Sequence, residues 1–169
     1  VNNFLNLSRL ENNMVEIKLV KTDICSIINN CIELQTGIAS SKNIKIILEK
    51  TGPAFVMADP KQLLIVLNNL IGNALKYSFE NSEIIITIKT ENNMQTISVK
   101  DFGLGIPEDE VDLIFEKFFR SRNNKEGNIE GTGLGLSIIK TIIDKHGGNI
   151  QVESKENEGS TFSFSLPVA

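Results

Sequence analysis

The sequence predicts an α+β fold: a two-layer α/β sandwich in which helices pack on one face of a mixed, largely antiparallel sheet. Helical and strand-like segments are mixed along the chain without the regular strand–helix–strand alternation of a doubly wound fold. Two segments rich in β-branched residues, 84–88 and 96–99, are joined at Glu91-Asn92-Asn93, which favours neighbouring strands. A length of 169 residues with 41% hydrophobic and 22% charged residues suits one well-packed domain.

Apolar residues at helical spacing and residues suited to helix ends predict the helices. Asp59-Pro60 is the clearest start, because the aspartate can accept hydrogen bonds from free N–H groups and proline lacks an N–H that would stay unpaired. His146 precedes the Gly147-Gly148 stop, where we expect it to act as a cation suited to the helix dipole. The predicted helices cover residues 1–14, a segment capped by Thr22 or Asp23, residues 59–77, a short stretch after Pro107 and residues 134–146.

Strands are predicted where apolar and polar residues alternate, or where short apolar runs lie between turn residues. Gly52-Pro53 separates two of these segments, and Asn157-Glu158-Gly159 forms the last turn. The predicted strands are residues 15–20, 44–48, 55–57, 84–88, 96–99, 150–154 and 160–166.

Charge and hydropathy exclude several classes of function. A net charge of −4 and a pI near 5.1 argue against a nucleic-acid partner, which needs a basic face. No apolar run approaches the roughly 20 residues of a membrane span, and the first residues do not resemble a signal peptide. Cys25 and Cys31 lie six residues apart on a predicted helix, on different faces, so we expect both to be reduced.

The end of the predicted helix 59–77 carries a polar row. Asn69, Asn73, Lys76 and Tyr77 are spaced so that they share one helix face. Amides that end in a lysine suit a hard cation and a phosphate better than a core. A solvated helix face explains the same row equally well, and the helix alone does not decide between them.

Two glycine-containing motifs follow. Asp101 ends a predicted strand before Gly103 and Gly105, where backbone can approach a flat ligand and the carboxylate can accept a hydrogen bond from an exocyclic amine. An ordinary Asp-Gly turn is the alternative. Residues 131–135 precede a helix, whose free N–H groups and dipole form an anion site. With the polar run before them, these residues indicate a lid over phosphates.

Four motifs in this order resemble the catalytic, ATP-binding domain of a bacterial two-component sensor histidine kinase, which has the HATPase, Bergerat-type fold. They are Asn69-Leu70-Ile71-Gly72-Asn73-Ala74-Leu75-Lys76-Tyr77-Ser78, Asp101-Phe102-Gly103-Leu104-Gly105, Phe115-Glu116-Lys117-Phe118-Phe119-Arg120 and Gly131-Thr132-Gly133-Leu134-Gly135-Leu136. Phe102 departs from the family, where a polar residue such as Asn is frequent.

The resemblance implies roles for individual residues. Asn73 would coordinate Mg²⁺, Asp101 would bind the adenine amino group and Arg120 would reach the terminal phosphate. Lys76 and Arg120 are the implied catalytic residues, and the lid would span about residues 102–132. The implied nucleotide-binding residues are Asn69, Asn73, Lys76, Tyr77, Asp101, Gly103, Gly105, Ile106, Gly131, Thr132, Gly133, Leu134, Gly135, Leu136 and Thr161.

The resemblance also implies a division of the chain and a set of partners. Residues 1–14 would be the end of a dimerisation helix, and residues 15–169 the ATP-binding domain. The acceptor His would lie on upstream dimerisation helices, so this chain alone should be monomeric and should not phosphorylate itself. A homodimeric parent would pass the phosphoryl group to the receiver domain of a response regulator. The domain would be cytoplasmic, in a parent that can be anchored in the inner membrane.

Other functions remain open at this stage. An anti-sigma-factor type serine kinase carries the same motifs but lacks the leading dimerisation helix. A nucleotide-binding regulatory module without transfer activity is a second alternative. Hydrolases of the superfamily use a Glu one turn before the Mg²⁺-binding Asn, to activate water. Asn69 stands at that position here, so we expect slow or negligible hydrolysis.

Overall fold

The computed structural model describes residues 2–50, 54–123 and 129–169. The predicted turn at Gly52-Pro53 and residues 124–128 of the predicted lid lie outside the described residues. The helices are α1 (Asn2–Glu11), α2 (Ile24–Ser41), α3 (Pro60–Tyr77) and α4 (Gly135–Lys145), with a 3-10 helix at Glu108–Glu110. The strands are β1 (Val20–Asp23), β2 (Lys45–Lys50), β3 (Phe55–Ala58), β4 (Glu83–Glu91), β5 (Met94–Lys100), β6 (Asn149–Lys155) and β7 (Gly159–Pro167).

The main sheet has five strands in the order β2-β4-β5-β7-β6. Only β2 and β4 pair in parallel, and the other three pairs are antiparallel. A second, two-stranded antiparallel sheet joins β1 to β3. With the helices on one face of the main sheet, this is the predicted α+β sandwich, and the prediction of the fold class is confirmed.

The core lies between the helices and one face of the main sheet. Burial alternates along β4, so that Ile84, Ile86 and Ile88 are fully buried while the residues between them are partly exposed. Each such side chain contributes about 1.5–3 kcal/mol by leaving water. The core residues of α3 are Leu63, Val66, Leu67, Leu70, Ile71, Ala74 and Leu75. Because these cover one side of α3, its polar row is left on another side.

Helix α3 begins where the sequence predicts. Asp59 caps it by accepting hydrogen bonds from the N–H groups of Lys61 and Gln62, and Pro60 stands in the first turn. At the other end, Lys42 Nζ donates to the carbonyl oxygens of Leu75 and Ser78, each at 2.7 Å. Both ends of the helix that carries the polar row are therefore held by side chains from outside it.

The predicted strand at residues 15–20 is wrong. The chain becomes a strand only at Val20, where Val20 faces Ala58 and Asp23 faces Phe55. Strand β3 is four residues long, so it offers no partner to residues 15–19. The backbone N–H of Lys18 instead donates to Asp59 Oδ2 at 3.1 Å. Alternation alone does not make a strand, because a strand also needs a neighbour to pair with.

His146 ends α4 as expected, but not as a cation. Its ring is 4% exposed, with Nδ1 at 2.7 Å from the carbonyl oxygen of Ile142. Its Nε2 accepts a hydrogen bond from the backbone N–H of Asp59 at 3.0 Å. A nitrogen that accepts carries no proton, so the ring is neutral and ties the end of α4 to the start of α3.

Two further expectations concern the chain as a whole. Cys25 and Cys31 are both free thiols, as predicted, and burial raises the pKa of Cys31 to about 11.

Helix α1 packs on α4 and buries Leu7 and Leu10. In the part of the chain that the structure describes, no helix combines the length and apolar character that a membrane crossing requires.

Candidate nucleotide-binding site

A cavity of about 290 Å³ opens between the C-terminal half of α3, the loop after β5, the start of α4 and strand β7. Most of the predicted site residues line it. They are Asn69, Asn73, Lys76, Tyr77, Asp101, Gly105, Ile106, Arg120, Gly131, Thr132, Gly133, Gly135 and Leu136. Segments that are far apart in sequence therefore meet at one place.

Gly103, Leu134 and Thr161 do not line the cavity. A Cβ on Gly103 would lie 2.0 Å from the carbonyl oxygen of Tyr77, so this glycine lets the loop pack on the end of α3. Leu134 is buried in the core at the start of α4. Both residues support the walls of the cavity from behind.

Thr161 lies on the opposite face of β7 from the cavity, which is lined by its neighbours Ser160 and Phe162. The reason is the two-residue period of a strand. Phe164 and Leu166 are buried at alternate positions, so Ser160 shares their face and Thr161 does not. That alternation was present in the sequence and could have identified Ser160.

Asp101 forms the closed end of the cavity, which we call the base end. Its side chain is buried, and its backbone N–H donates to the carbonyl oxygen of Ser160 at 2.9 Å. Burial raises the pKa of the Asp101 carboxyl to about 6, against a smaller lowering by the backbone N–H groups of Ser160 and Gly103. Its Oδ1 is buried without a hydrogen-bond partner among the described residues. An unpaired buried acceptor is costly, so it indicates a donor that a ligand supplies.

Ser160 is held beside Asp101 by a hydroxyl pair. Its Oγ lies 2.7 Å from Ser154 Oγ, which also accepts a hydrogen bond from the N–H of Ile106 at 2.8 Å. Ser154 Oγ is 3.0 Å from the carbonyl oxygen of Gly159, to which it can donate. These contacts tie the loop after β5 to strands β6 and β7, so the base end is built on paired strands.

Lys76 and Arg120 stand at the other end of the cavity, which we call the phosphate end. Neither forms an ion pair with a described residue. The pKa of Lys76 is lowered, first by burial and then by the nearby charge of Arg120, with Glu130 acting in the opposite direction. The Arg120 guanidinium donates to the carbonyl oxygen of Ile129. Two neighbouring cations that repel each other suit a phosphate chain.

The glycine-rich segment closes the phosphate end. Gly133 has a φ of 72°, and a Cβ there would lie 2.7 Å from the carbonyl carbon of Phe118. The N–H of Phe118 donates to the carbonyl oxygen of Gly133 at 2.9 Å, which pins both sides of the predicted lid together. No side chain caps the start of α4, because Leu134 stands at the capping position. Its first-turn N–H groups can therefore bind an anion.

The two asparagines of the polar row on α3 differ in their contacts. Asn69 Nδ2 donates to the carbonyl oxygen of Ile65 at 2.8 Å, within its own helix. Asn73 lines the cavity and forms no side-chain hydrogen bond with a described residue. Across residues 2–50, 54–123 and 129–169, no cluster of three or more His, Cys, Asp or Glu side chains could hold a metal. A cation here would take one amide oxygen and otherwise phosphate and water oxygens, as Mg²⁺ does in many nucleotide sites.

The sequence pointed to most of the cavity but missed some lining residues. Ile114, Phe119 and Phe162 form apolar wall, and Phe115 packs edge-on against Phe162 with ring centroids 6.4 Å apart. Of the motif at residues 115–120, Phe119 is thus part of the wall, and Phe115 packs against the wall residue Phe162. Asn3 of α1 also lines the cavity, and its Nδ2 lies 3.5 Å from Thr132 Oγ1. No local signal in the sequence places a residue of α1 there.

Phe102, where the sequence departs from the family pattern, does not line the cavity. Lys100 Nζ lies 4.9 Å from the centroid of its ring, a cation–π contact outside the site. An apolar residue at this position therefore removes no contact from the cavity.

Comparisons with known proteins agree with this geometry. Residues 58–169 match the family model described as histidine kinase-, DNA gyrase B- and HSP90-like ATPase. The sensor histidine kinase WalK of Bacillus subtilis is 41% identical over 115 residues, which are 67% of this chain and 19% of that protein. The WalK sensor kinase of Staphylococcus aureus is 35% identical over 170 residues, covering 99% of this chain and 40% of that protein. The chain thus spans well under half the length of these relatives.

Solved structures give the same result. The catalytic domain of histidine kinase ThkA has a TM-score of 0.77 at 34% identity, covering 90% of this chain and 96% of that one. Full-length ShkA in complex with AMPPNP has a TM-score of 0.86 at 29% identity, covering 99% of this chain and 35% of that one. ThkA in complex with the response regulator TrrA has a TM-score of 0.75 at 29% identity, covering 99% of this chain and 49% of that one.

Proposed function

Because the chain belongs to the histidine kinase-, DNA gyrase B- and HSP90-like ATPase family, we propose that it binds ATP and donates the γ-phosphoryl group to a histidine. The observation that carries the proposal is the polarity of one cavity. Its base end holds a buried acceptor, Asp101 Oδ1, which has no hydrogen-bond partner among the described residues. Its phosphate end holds the cations Lys76 and Arg120, which form no ion pair with a described residue. An adenine amine and a phosphate chain supply the missing partners for both ends.

At the base end, the adenine amine donates to Asp101, and Ser160 offers a second polar group beside it. Gly105 lets the loop that lines this end pack on strand β6: its φ is 64°, and a Cβ would lie 2.0 Å from the Lys155 carbonyl oxygen. Guanine carries a carbonyl oxygen where adenine carries the amine, so it would place an acceptor against an acceptor. The site therefore favours adenine.

At the phosphate end, Lys76 and Arg120 bind phosphate oxygens, and the free N–H groups at the start of α4 add an anion site. Asn73 fits a Mg²⁺ ion through its free amide oxygen. When bound, that ion neutralises phosphate charge. Arg120 leaves the carbonyl of Ile129 to reach the γ-phosphate. These residues orient the phosphate chain and stabilise charge, which is most of what phosphoryl transfer requires of a protein.

In the transfer step, a ring nitrogen of the acceptor histidine forms a bond to the γ-phosphorus. The bond from that phosphorus to the oxygen bridging to the β-phosphate breaks, and ADP leaves with the electron pair. The imidazole loses its N–H proton to solvent or a neighbouring base. Lys76 offsets the charge that develops on the leaving oxygen.

The acceptor histidine must come from elsewhere in the parent protein. His146 is the chain's only histidine, and its buried ring is engaged on both nitrogens. We propose that α1 ends a dimerisation helix, that the parent is a homodimer, and that its upstream helices carry the acceptor. A response regulator receives the phosphoryl group next, as a partner of the kind seen bound to ThkA. The chain alone does not phosphorylate itself.

Hydrolysis of ATP is the less favoured function. Asp101 is the only carboxylate among the described lining residues, and it lies at the base end. Asn69, which stands where a hydrolase has its general base, donates its amide within α3. An amide has no basicity, so the position that supplies the general base in a hydrolase cannot activate water here.

The experiment combines binding with transfer. Calorimetry with ATP, with and without Mg²⁺, is expected to give binding that Mg²⁺ strengthens. With γ-labelled ATP, the chain alone is expected to stay unlabelled, and label is expected on a histidine of the parent's dimerisation helices when these are added. Steady release of inorganic phosphate by the chain would favour a hydrolase. Label on a serine of an added acceptor would favour the serine kinase, and binding without any transfer a regulatory module.

A further inference from the structure

Glu110 is a buried acidic residue that does not line the cavity but contacts the chain directly after Arg120. It ends the 3-10 helix and is 8% exposed. Its Oε2 accepts a hydrogen bond from Ser121 Oγ at 2.5 Å. Both of its carboxylate oxygens lie 3.3 Å from the backbone nitrogen of Arg122. Burying a carboxylate is costly unless such partners are present.

These contacts fix the backbone on one side of Arg120. The other side is fixed by the hydrogen bond from the N–H of Phe118 to the carbonyl oxygen of Gly133. Arg120 thus lies between two anchored residues, two positions after Phe118 and one position before Ser121. Its side chain is long and has several rotatable bonds, so the position of its guanidinium depends on how firmly that backbone is held.

We propose that Glu110 is a positioning residue for Arg120, and that it thereby sets the preference of the site for ATP over ADP. The inference rests on the proposed function, in which Arg120 contacts the γ-phosphate. Only ATP has that phosphate. The base end is built on β5 and β7, and Lys76 stands on α3, so a loosened Arg120 leaves those contacts in place. The loss then falls on ATP alone.

Asp109 provides a matched control. It is the residue before Glu110, also acidic, and its carboxylate binds the Arg122 guanidinium with two contacts of 2.9 Å. Its side chain is 68% exposed, and it contacts neither Ser121 nor the cavity. The Arg122 guanidinium also lies 3.6 Å from Glu110 Oε1. Removing the Asp109 charge leaves the Glu110 contacts with Ser121 and with the backbone nitrogen of Arg122 in place.

The test compares Glu110→Gln, Asp109→Asn, Arg120→Ala and the double variant Glu110→Gln/Arg120→Ala. Binding of ADP and of a non-hydrolysable ATP analogue, each with Mg²⁺, is measured by calorimetry. Glu110→Gln is expected to weaken analogue binding about 10-fold, because the charge-assisted contact between Arg120 and the γ-phosphate is lost. Binding of ADP, which has no γ-phosphate, should stay within about twofold. Asp109→Asn should change neither. The double variant should be no weaker than Arg120→Ala, because both changes act through one side chain.

Equal losses for both nucleotides, or losses that add in the double variant, would overturn the inference and leave Glu110 a purely structural residue. Unchanged analogue binding in Glu110→Gln would do the same. If Glu110→Gln fails to fold in a thermal scan, Glu110→Asp keeps the charge at a shorter reach and is expected to show a smaller loss, again confined to the analogue. A wild-type chain that binds neither nucleotide would instead overturn the proposed function itself.

Discussion

The two ends of the cavity are built in different ways. At the base end, Ser160 stands on β7 and Asp101 directly follows β5, which pairs with β7, and the acceptor that faces the ligand is buried and already in place. At the phosphate end, Arg120 and Gly131 stand on connecting segments, and the guanidinium is held by a carbonyl oxygen of the chain itself. Lys76 and Asn73 there belong to a regular element, helix α3.

The difference indicates a division of work between the two ends. A preformed acceptor on a sheet selects the base at little cost in ordering, because its neighbours are already fixed. Cations on loops can exchange a contact with the chain for a contact with phosphate, which suits a group that must bind ATP and release ADP. The preference for adenine is therefore expected to depend on the base end. The preference for ATP over ADP is expected to depend on the phosphate end.

The largest expected effect comes from the base end. Asp101→Asn places an N–H group or a weaker acceptor against the adenine amine, so affinity for ATP and ADP should fall about 100-fold or more. Removing a buried charge should not lower the melting temperature, which separates lost binding from lost folding. Calorimetry measures the nucleotide affinity, and a thermal scan measures the melting temperature. Asp112→Asn, at an exposed position, is the control and should bind as wild type. Full binding by Asp101→Asn would show that the buried acceptor is not used.

A smaller effect is expected at the phosphate end. Lys76→Met keeps the apolar stem but removes the charge, so affinity for both nucleotides should fall about 10-fold, the value of one charge-assisted contact. The dependence of binding on salt should also weaken, because one ionic contact is gone. Lys140→Met is the control, since Lys140 pairs with Asp144 on the exposed side of α4. An unchanged salt dependence in Lys76→Met would argue against phosphate contact by Lys76.

The smallest effect is a shift in the titration of Asp101. Its pKa of about 6 lies above the ordinary 3.8, so the folded chain holds this proton more tightly than the unfolded chain does. Its contribution to the free energy of unfolding therefore declines as the pH rises from about 4 to about 6, and is constant above that range. A hydrogen bond from adenine favours the ionised form, so nucleotide should lower the pKa.

Carbon NMR of the labelled carboxyl group follows this titration directly. A midpoint near 6 in the free chain, moved down by ADP, is the expected result. A midpoint near 4 without nucleotide would mean that water reaches the carboxylate, and that the base end is more open than its burial indicates. The comparison between the two ends would then lose its basis.

Much of this protein could be predicted from the sequence because the signals are local. Asp59-Pro60 specifies a helix start through its own side chains, and the alternation in β5 specifies that Ile97 and Val99 face the core. The motifs identified most of the residues that line the cavity. A glycine needed for close approach, or a polar row on one helix face, can be recognised without knowing how the rest of the chain folds. The alternation along β7 places Ser160, and not Thr161, among the residues that line the cavity.

The tertiary structure decided what depends on partners distant in sequence. The start of β1 follows from the length of β3, and the neutral ring of His146 follows from an N–H that lies 87 residues away at Asp59. Glu110 has no motif to mark it, and it gains its partners only when the chain returns at Ser121. A side chain's preferences are local, but the free energy of burying it depends on what packs against it. That is known only once the whole chain has folded.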